Sequence, residues 1–470
     1  MGQSDHAAFV ALAPALHPRG NARRRLRDSL AERPVNAARS YPEVRADFRR
    51  PLGDEGRPAS EVIDELIAVA DPGIVASAGP RYFGFVVGGA LPAATAAEIL
   101  AAGWDENAWN SVLSPAAAAA EQAAADWLKE LLGLPPAVSA GFATGAQSAN
   151  TIALAAARNH VLGLAGWDVE GDGLAGAPQV RILAGEERHA TIDRSLRLLG
   201  FGSRSLELVP ADSNGAIDLG ALRARLADHT GPLIVCLQAG NVNTGAADPL
   251  GAACDLVHEH GGWVHVDGAF GLWAAASPSL RDQVSGVERA DSWACDGHKW
   301  LNLPYDSGFV FSAHPAAHAN ALAYSASYLV ASGEPEPGDY AIESSRRGRG
   351  LAVWAGLQEL GRTGVRDLVD RCCGLARSFA DQLSAAGYEI GNDIVLNQVL
   401  VSFGSEDETD RVIEEIQRSG VCWMGGTTWR GRRYLRISVS NHLTTEADVT
   451  VSVRAIIAAG NGTGRRHHER

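Results

Sequence analysis

The chain has 470 residues, 46% apolar and 20% charged, enough for two or three domains with a sizeable core. Acidic residues exceed basic ones, 55 to 41, and the net charge of −14 argues against nucleic acid or an anionic membrane surface as a partner. Six cysteines (Cys236, Cys254, Cys295, Cys372, Cys373, Cys422) without CxxC spacing, no apolar run after the arginine-rich stretch 19–27 and no membrane-length apolar run together predict a soluble, cytoplasmic protein.

Residues 1–75 are expected to form an N-terminal helical segment and arm, including a helix over Ala59–Ala70 with apolar residues at Val62, Ile63, Leu66 and Ile67. Alanine and leucine make Pro115–Leu132 helical, and Gly133-Leu134-Pro135-Pro136 stops it. From about residue 137, apolar runs predict strands at 180–183, 206–209, 233–237, 263–266, 293–295 and 309–311. Helical stretches at 151–161, 191–199, 219–226 and 252–259 lie between most of them. This alternation is the signature of an α/β fold, a mostly parallel sheet with helices on both faces and ligands at the carboxyl ends of its strands. A domain boundary is expected near 348–350, dividing a large domain (76–350) from a smaller α+β domain (351–460) that reads helix, strand, helix, strand, helix. The tail, 461–470, reads as disordered.

Two motifs stand out at strand ends. Asp267 closes the run Gly262-Trp263-Val264-His265-Val266, and Lys299 sits in Asp296-Gly297-His298-Lys299-Trp300 after the next run. Alone, the first is an ordinary strand-end aspartate and the second a lysine whose stem packs on an indole. As a pair they suggest a lysine that forms a Schiff base with pyridoxal 5′-phosphate, and an acid that keeps the cofactor's ring nitrogen protonated. Gly268 and Ala269 are small enough to leave room for a planar ring. His189 follows the 180–183 run, where an imidazole could stack on the ring and shuttle protons. Ala143-Thr144-Gly145-Ala146-Gln147-Ser148-Ala149-Asn150 precedes a helix and would offer backbone N–H groups to a phosphate; it is neither a P-loop nor a dinucleotide fingerprint. No metal-ligand pattern stands out: His258 and His260 read as a solvated helix end and His467-His468 as tail.

In chain order, TGAQSAN, the loop histidine, HVDGA and DGHKW resemble the group II pyridoxal-phosphate decarboxylases, which include the aromatic-amino-acid, glutamate and histidine decarboxylases. Arg81-Tyr82-Phe83-Gly84-Phe85, Ser114-Pro115-Ala116, Thr244-Gly245-Ala246-Ala247-Asp248-Pro249 and Leu435 to Asn441 extend the likeness over about residues 60 to 455. The resemblance implies fold type I: a large domain with a mainly parallel seven-stranded sheet, a small C-terminal domain, and a homodimer with its active sites at the subunit interface. It implies Lys299 as the cofactor lysine, Asp267 as the ring-nitrogen partner and His189 as the stacking base. It places Thr144, Gly145, Ala146, Asn150 and His298 around the phosphate and Ala269 against the ring. Trp104, Ser114 and Arg436 would face the amino-acid substrate. Tyr328, on a Gly- and Pro-rich stretch, matches a tyrosine that returns a proton after CO₂ leaves; related aldehyde synthases tend to carry phenylalanine there. Tyr340 is its alternative.

The chain departs from the family where Asn241-Val242-Asn243 replaces threonines, leaving Asn241 as the substitute partner of the ring hydroxyl. The expected reaction is decarboxylation of an L-amino acid to its amine. Other chemistry on the same cofactor (C–C lyase or aldolase cleavage, transamination, oxidative deamination to an aldehyde) and a non-catalytic homologue remain alternatives.

Overall fold

Residues 29–324 and 336–462 are described by a computed structural model. Helices α1 (Tyr41–Phe48) and α2 (Ala59–Ala70) lead in, followed by α3 (Pro92–Trp104) and α4 (Pro115–Leu131). A seven-stranded sheet comes next, comprising β1 (Ser139–Ala143), β2 (Arg181–Gly185), β3 (Leu206–Val209), β4 (Leu233–Gln238), β5 (Trp263–Asp267), β6 (Ser292–Asp296) and β7 (Gly308–Ser312). Its spatial order is β1-β7-β6-β5-β4-β2-β3. Only β7 runs against its neighbours, so the mainly parallel sheet expected from the alternating pattern is present. Helices α5 (Ala146–Leu164), α6 (Ala190–Leu198), α7 (Leu219–Leu226) and α8 (Leu250–His258) connect the strands. The central strands β4, β5 and β6 are buried at every residue, as a sheet covered on both faces requires.

The strand runs missed β1, whose Ser-Ala-Gly-Phe-Ala is too small and mixed to announce itself; pairing with β7 makes it a strand. Helix α5 begins at Ala146, earlier than the predicted Thr151, because the small polar loop residues form its first turn.

The C-terminal part begins with α9 (Arg349–Ala385), which bends at Gly361, a residue whose φ of 61° suits glycine. After it come β8 (Glu389–Ile390), β9 (Gln398–Ser402), α10 (Glu406–Ser419), β10 (Gly425–Trp429), β11 (Arg432–Ser438) and α11 (Glu446–Asn461). The strands form an antiparallel sheet in the order β10-β11-β9-β8. Each single strand expected here is therefore a pair. β8 has only two residues, and Gly-Gly-Thr-Thr-Trp in β10 offers no apolar run to read.

Helices α1 and α2 bury no residue; α2 leaves its apolar stripe, Val62, Ile63 and Leu66, exposed. Among the described residues, no helix is long and apolar enough to cross a membrane.

Candidate active site

Parallel strands bring their carboxyl ends to one edge, and most of the predicted groups collect there. Asp267 is the last residue of β5 and Asp296 the last of β6, with Lys299 in the turn beyond. Gly145 follows β1, His189 follows β2, and Gly308 opens the antiparallel β7 beside Ala143.

Asp267 is buried and receives three hydrogen bonds. Asn150 Nδ2 (3.0 Å) and Thr191 Oγ1 (3.4 Å) donate to one carboxylate oxygen, and the Ala269 amide (3.2 Å) donates to the other. Behind Asn150 runs a chain whose polarity is set by its ends. Trp263 Nε1 donates to Ser292 Oγ (2.9 Å), whose hydroxyl lies 3.0 Å from His265 Nδ1; His265 Nε2 lies 2.9 Å from Asn150 Oδ1. The amide oxygen of Asn150 can only accept, so His265 carries its proton on Nε2 and takes the serine proton on Nδ1. Burial lowers the His265 pKa to about 4, consistent with a neutral ring. Every donor in the chain thus points towards Asp267, which suits a charge-assisted acceptor.

Lys299 Nζ lies 3.0 Å from Asp296 Oδ2. The other oxygen of Asp296 accepts the Ala146 amide at the start of α5 and sits 3.4 Å from His298 Nε2. His298 Nδ1 accepts from the Ser307 amide (3.1 Å), leaving Nε2–H to donate; its ring stacks on Tyr305 at 4.4 Å, and burial lowers its pKa. Two glycines give this corner its depth. A Cβ on Gly308 would stand 2.4 Å from Gly145 Cα, and one on Gly145 would stand 2.9 Å from His298 Cε1. A third close approach, Gly88 against the Lys299 carbonyl, would be blocked by a Cβ at 1.9 Å.

His189 caps α6 and accepts the Thr191 amide on Nδ1 (3.3 Å). Its ring edge is open to the cleft, yet enough protein surrounds it for burial to lower its pKa. Asp267 opposes that shift, whereas Lys299 and Arg436 add to it. Arg436 enters from β11 and donates to the Val242 carbonyl (3.1 Å). His189 therefore feels the charges of Asp267, Lys299, Arg436 and Asp296 together, which places the small sheet's arginine at the same cleft.

Other expected residues sit elsewhere or are otherwise engaged. The buried Asn241 side chain closes its own turn, accepting the Asn243 and Thr244 amides and donating to the Glu187 carbonyl. Thr144 is half-buried between β1 and α5. Trp104 ends α3 with 59% of its surface exposed, and the buried Ser114 caps α4; neither hydrogen-bonds to the groups around Lys299. Tyr340 packs on His318 at 4.9 Å, beside β1. Tyr328 lies outside the described residues. Thr191, Ser292, His265 and Asp296 carried no assigned role in the sequence, although two of them sit inside the quoted motifs. A hydroxyl two residues past the loop histidine was the available signal for Thr191.

The corner fits pyridoxal phosphate: an amine for the aldehyde, a carboxylate with three donors for the ring nitrogen, and amide and imidazole donors in a glycine-lined recess for the phosphate. Comparison with known proteins agrees. The sequence profile described as the pyridoxal-dependent decarboxylase conserved domain matches residues 44–404. An aromatic-L-amino-acid decarboxylase of Bacillus atrophaeus is 28% identical over 397 residues, covering 80% of this chain and 80% of that protein. A phenylacetaldehyde synthase of a Rosa hybrid cultivar is 26% identical over 425 residues, covering 83% of this chain and 82% of that protein. The crystal structure of Oryza sativa TDC with PLP and tryptamine superimposes with a TM-score of 0.89 at 24% identity, covering 96% of this chain and 98% of that one. With residues 44–404, most of its length, matched, the chain belongs to the pyridoxal-dependent decarboxylase family.

Proposed function

We propose that the protein decarboxylates an aromatic L-amino acid to its amine and CO₂. The observation that carries the reading is the meeting of Lys299, the donor-ringed Asp267 and His189 at one cleft. Held covalently by Lys299, the cofactor supplies an electron sink for the pair released when a bond to the substrate's Cα breaks. Asp267 holds the proton on the ring nitrogen, and Asn150, Thr191 and the Ala269 amide keep its carboxylate oriented. The Ala146 amide and His298 Nε2–H serve the phosphate. His189, neutral through burial and with Nδ1 taken by the Thr191 amide, presents Nε2–H to the open side of the cleft. Arg436 brings positive charge to the cleft from the small domain and favours entry of a carboxylate substrate.

Decarboxylase and aldehyde-synthase relatives share nearly the same identity with this chain, so overall likeness does not choose between the two reactions. Tyr328 supports the amine: a phenol at that position can return a proton to Cα. The test supplies tryptophan, tyrosine, DOPA and phenylalanine and quantifies amine, CO₂, aldehyde and ammonia. Amine and CO₂ in equal amounts are expected; aldehyde and ammonia without amine would overturn the reading. Tyr328→Phe is expected to move product towards aldehyde while cofactor binding is retained.

A homodimer with 76–350 as cofactor domain and 351–460 as small domain completes the proposal. The exposed apolar surface of α2, together with Ile99, Leu100, Trp104, Val112 and Leu113, supports it. Six buried thiols, none in a disulfide, support a reducing, cytoplasmic setting.

A further inference from the structure

The start of α5 already holds a carboxyl group, and it belongs to the chain. Asp296 Oδ1 accepts the Ala146 amide and lies 3.4 Å from His298 Nε2, while Oδ2 lies 3.0 Å from Lys299 Nζ. These are the same amide and imidazole that the preceding section gives to the cofactor's phosphate. Asp296 is almost wholly buried, and a Cβ on Gly145 would stand 3.2 Å from its Oδ1. The charged or titratable groups facing it are Lys299 and His298 on its own turn, Tyr305 beyond them, Cys295 on β6, Asp267 on β5 and His189 across the cleft. Lys299 is the one lysine or arginine in this set.

We propose that Asp296 is a built-in competitor for the phosphate seat, so that phosphate binding takes up one proton from solvent. A phosphate monoester approaches two negative charges near neutral pH, its second ionisation lying at about pH 6. Seated against an ionised Asp296, it would add that charge to a carboxylate already on the same donors. One proton removes the conflict, either on Asp296, which then donates to a phosphate oxygen, or on the phosphate, which then binds as the monoanion. In both cases the balance is chain plus cofactor dianion plus H⁺. Uptake of one proton makes the apparent Kd rise up to about tenfold per pH unit over the alkaline range. Covalent attachment at Lys299 is common to phosphorylated and unphosphorylated cofactor, so the effect belongs to the phosphate.

This rests on the proposed placement of the phosphate at α5. The test dialyses the full chain against graded pyridoxal phosphate, and separately against pyridoxal, from about pH 6.5 to about pH 9, across the range where the phosphate is a dianion. Occupancy is read as the borohydride-trapped adduct on Lys299 by mass spectrometry. Asp296→Asn keeps an oxygen for the Ala146 amide and removes the charge. It is expected to flatten the pH dependence for pyridoxal phosphate and to tighten binding about tenfold or more at the alkaline end, with no tightening for pyridoxal. Asp296→Ser, and the wild-type slope itself, keep the proposal testable should Asp296→Asn not fold. Equal slopes in wild type and variant, or the same tightening with pyridoxal as with its phosphate, would overturn the competitor role and leave the cofactor assignment standing. Absence of any adduct on Lys299 with either compound would overturn both.

Discussion

Asp267 shows how much of a site can rest on residues that never meet the ligand. His265 stands two residues before it on β5, and strand geometry turns both side chains to the same face, where Asn150 joins them. Replacing His265 by phenylalanine keeps the ring volume but leaves Asn150 Oδ1 without its donor and the Ser292 proton without its acceptor. A stability loss of about 1–3 kcal/mol is expected for the orphaned groups, read by urea denaturation. A fall in kcat larger than any change in KM is expected with it, since the lost contact orients Asp267 rather than the substrate. His265→Gln, which can donate to Asn150, should recover part of both. An unchanged kcat in His265→Phe would show that the chain is packing alone.

At the scale of elements, the proposed phosphate recess is a contact between the first residue of β7 and the loop leading into α5. Gly308→Ala places a methyl 2.4 Å from Gly145 Cα, backbone against backbone, where no side chain can yield. The strand and the helix start must separate, at a cost of about 1–3 kcal/mol. Weaker retention of the cofactor on gel filtration should accompany the lower denaturation midpoint; a variant that loses stability yet keeps wild-type retention would place the phosphate elsewhere. Helix α2 presents the opposite case, an amphipathic element with nothing against its apolar stripe. Leu66→Asp is expected to shift the protein towards monomer in sedimentation experiments and to lower activity with it, because the proposed dimer interface borders the cleft. A variant that stays dimeric would remove α2 from that interface.

For the molecule as a whole, two buried imidazoles predict sensitivity to acid. Burial lowers His265 and His318 from 6.5 to about 4. Folded, they stay neutral, whereas the unfolded chain protonates them below pH 6.5, so the unfolded state binds more protons and stability falls as pH drops from 6.5 towards 4. The slope is at most about 1.4 kcal/mol per pH unit for each group. His258 acts with the opposite sign, because its hydrogen bond to Asp291 raises its pKa and adds stability in acid. Urea midpoints measured down this window should fall in the wild type and fall less steeply in His318→Asn; a flat profile would contradict neutral burial.

What could be read before folding follows from where the information is stored. The sheet was legible because β-branched runs alternate with helical ones, and the proposed cofactor lysine because His-Lys-Trp and His-Val-Asp are each contiguous. Thr191, Ser292 and Asn150 come from three different segments and meet at Asp267 or His265 only through strand order, which no local pattern encodes. Asn241 illustrates the converse: its identity suggested a ligand contact, but its turn uses the carboxamide internally. By itself the sequence determined the α/β architecture and singled out Lys299 and Asp267 as the pair proposed to hold pyridoxal phosphate, since periodicity and motif chemistry are local. Tertiary structure alone decided that Asp296 sits among the donors proposed for the phosphate and that a hydrogen-bonded chain backs Asp267. Both depend on distances between segments far apart in the chain, set by packing at one edge of the sheet.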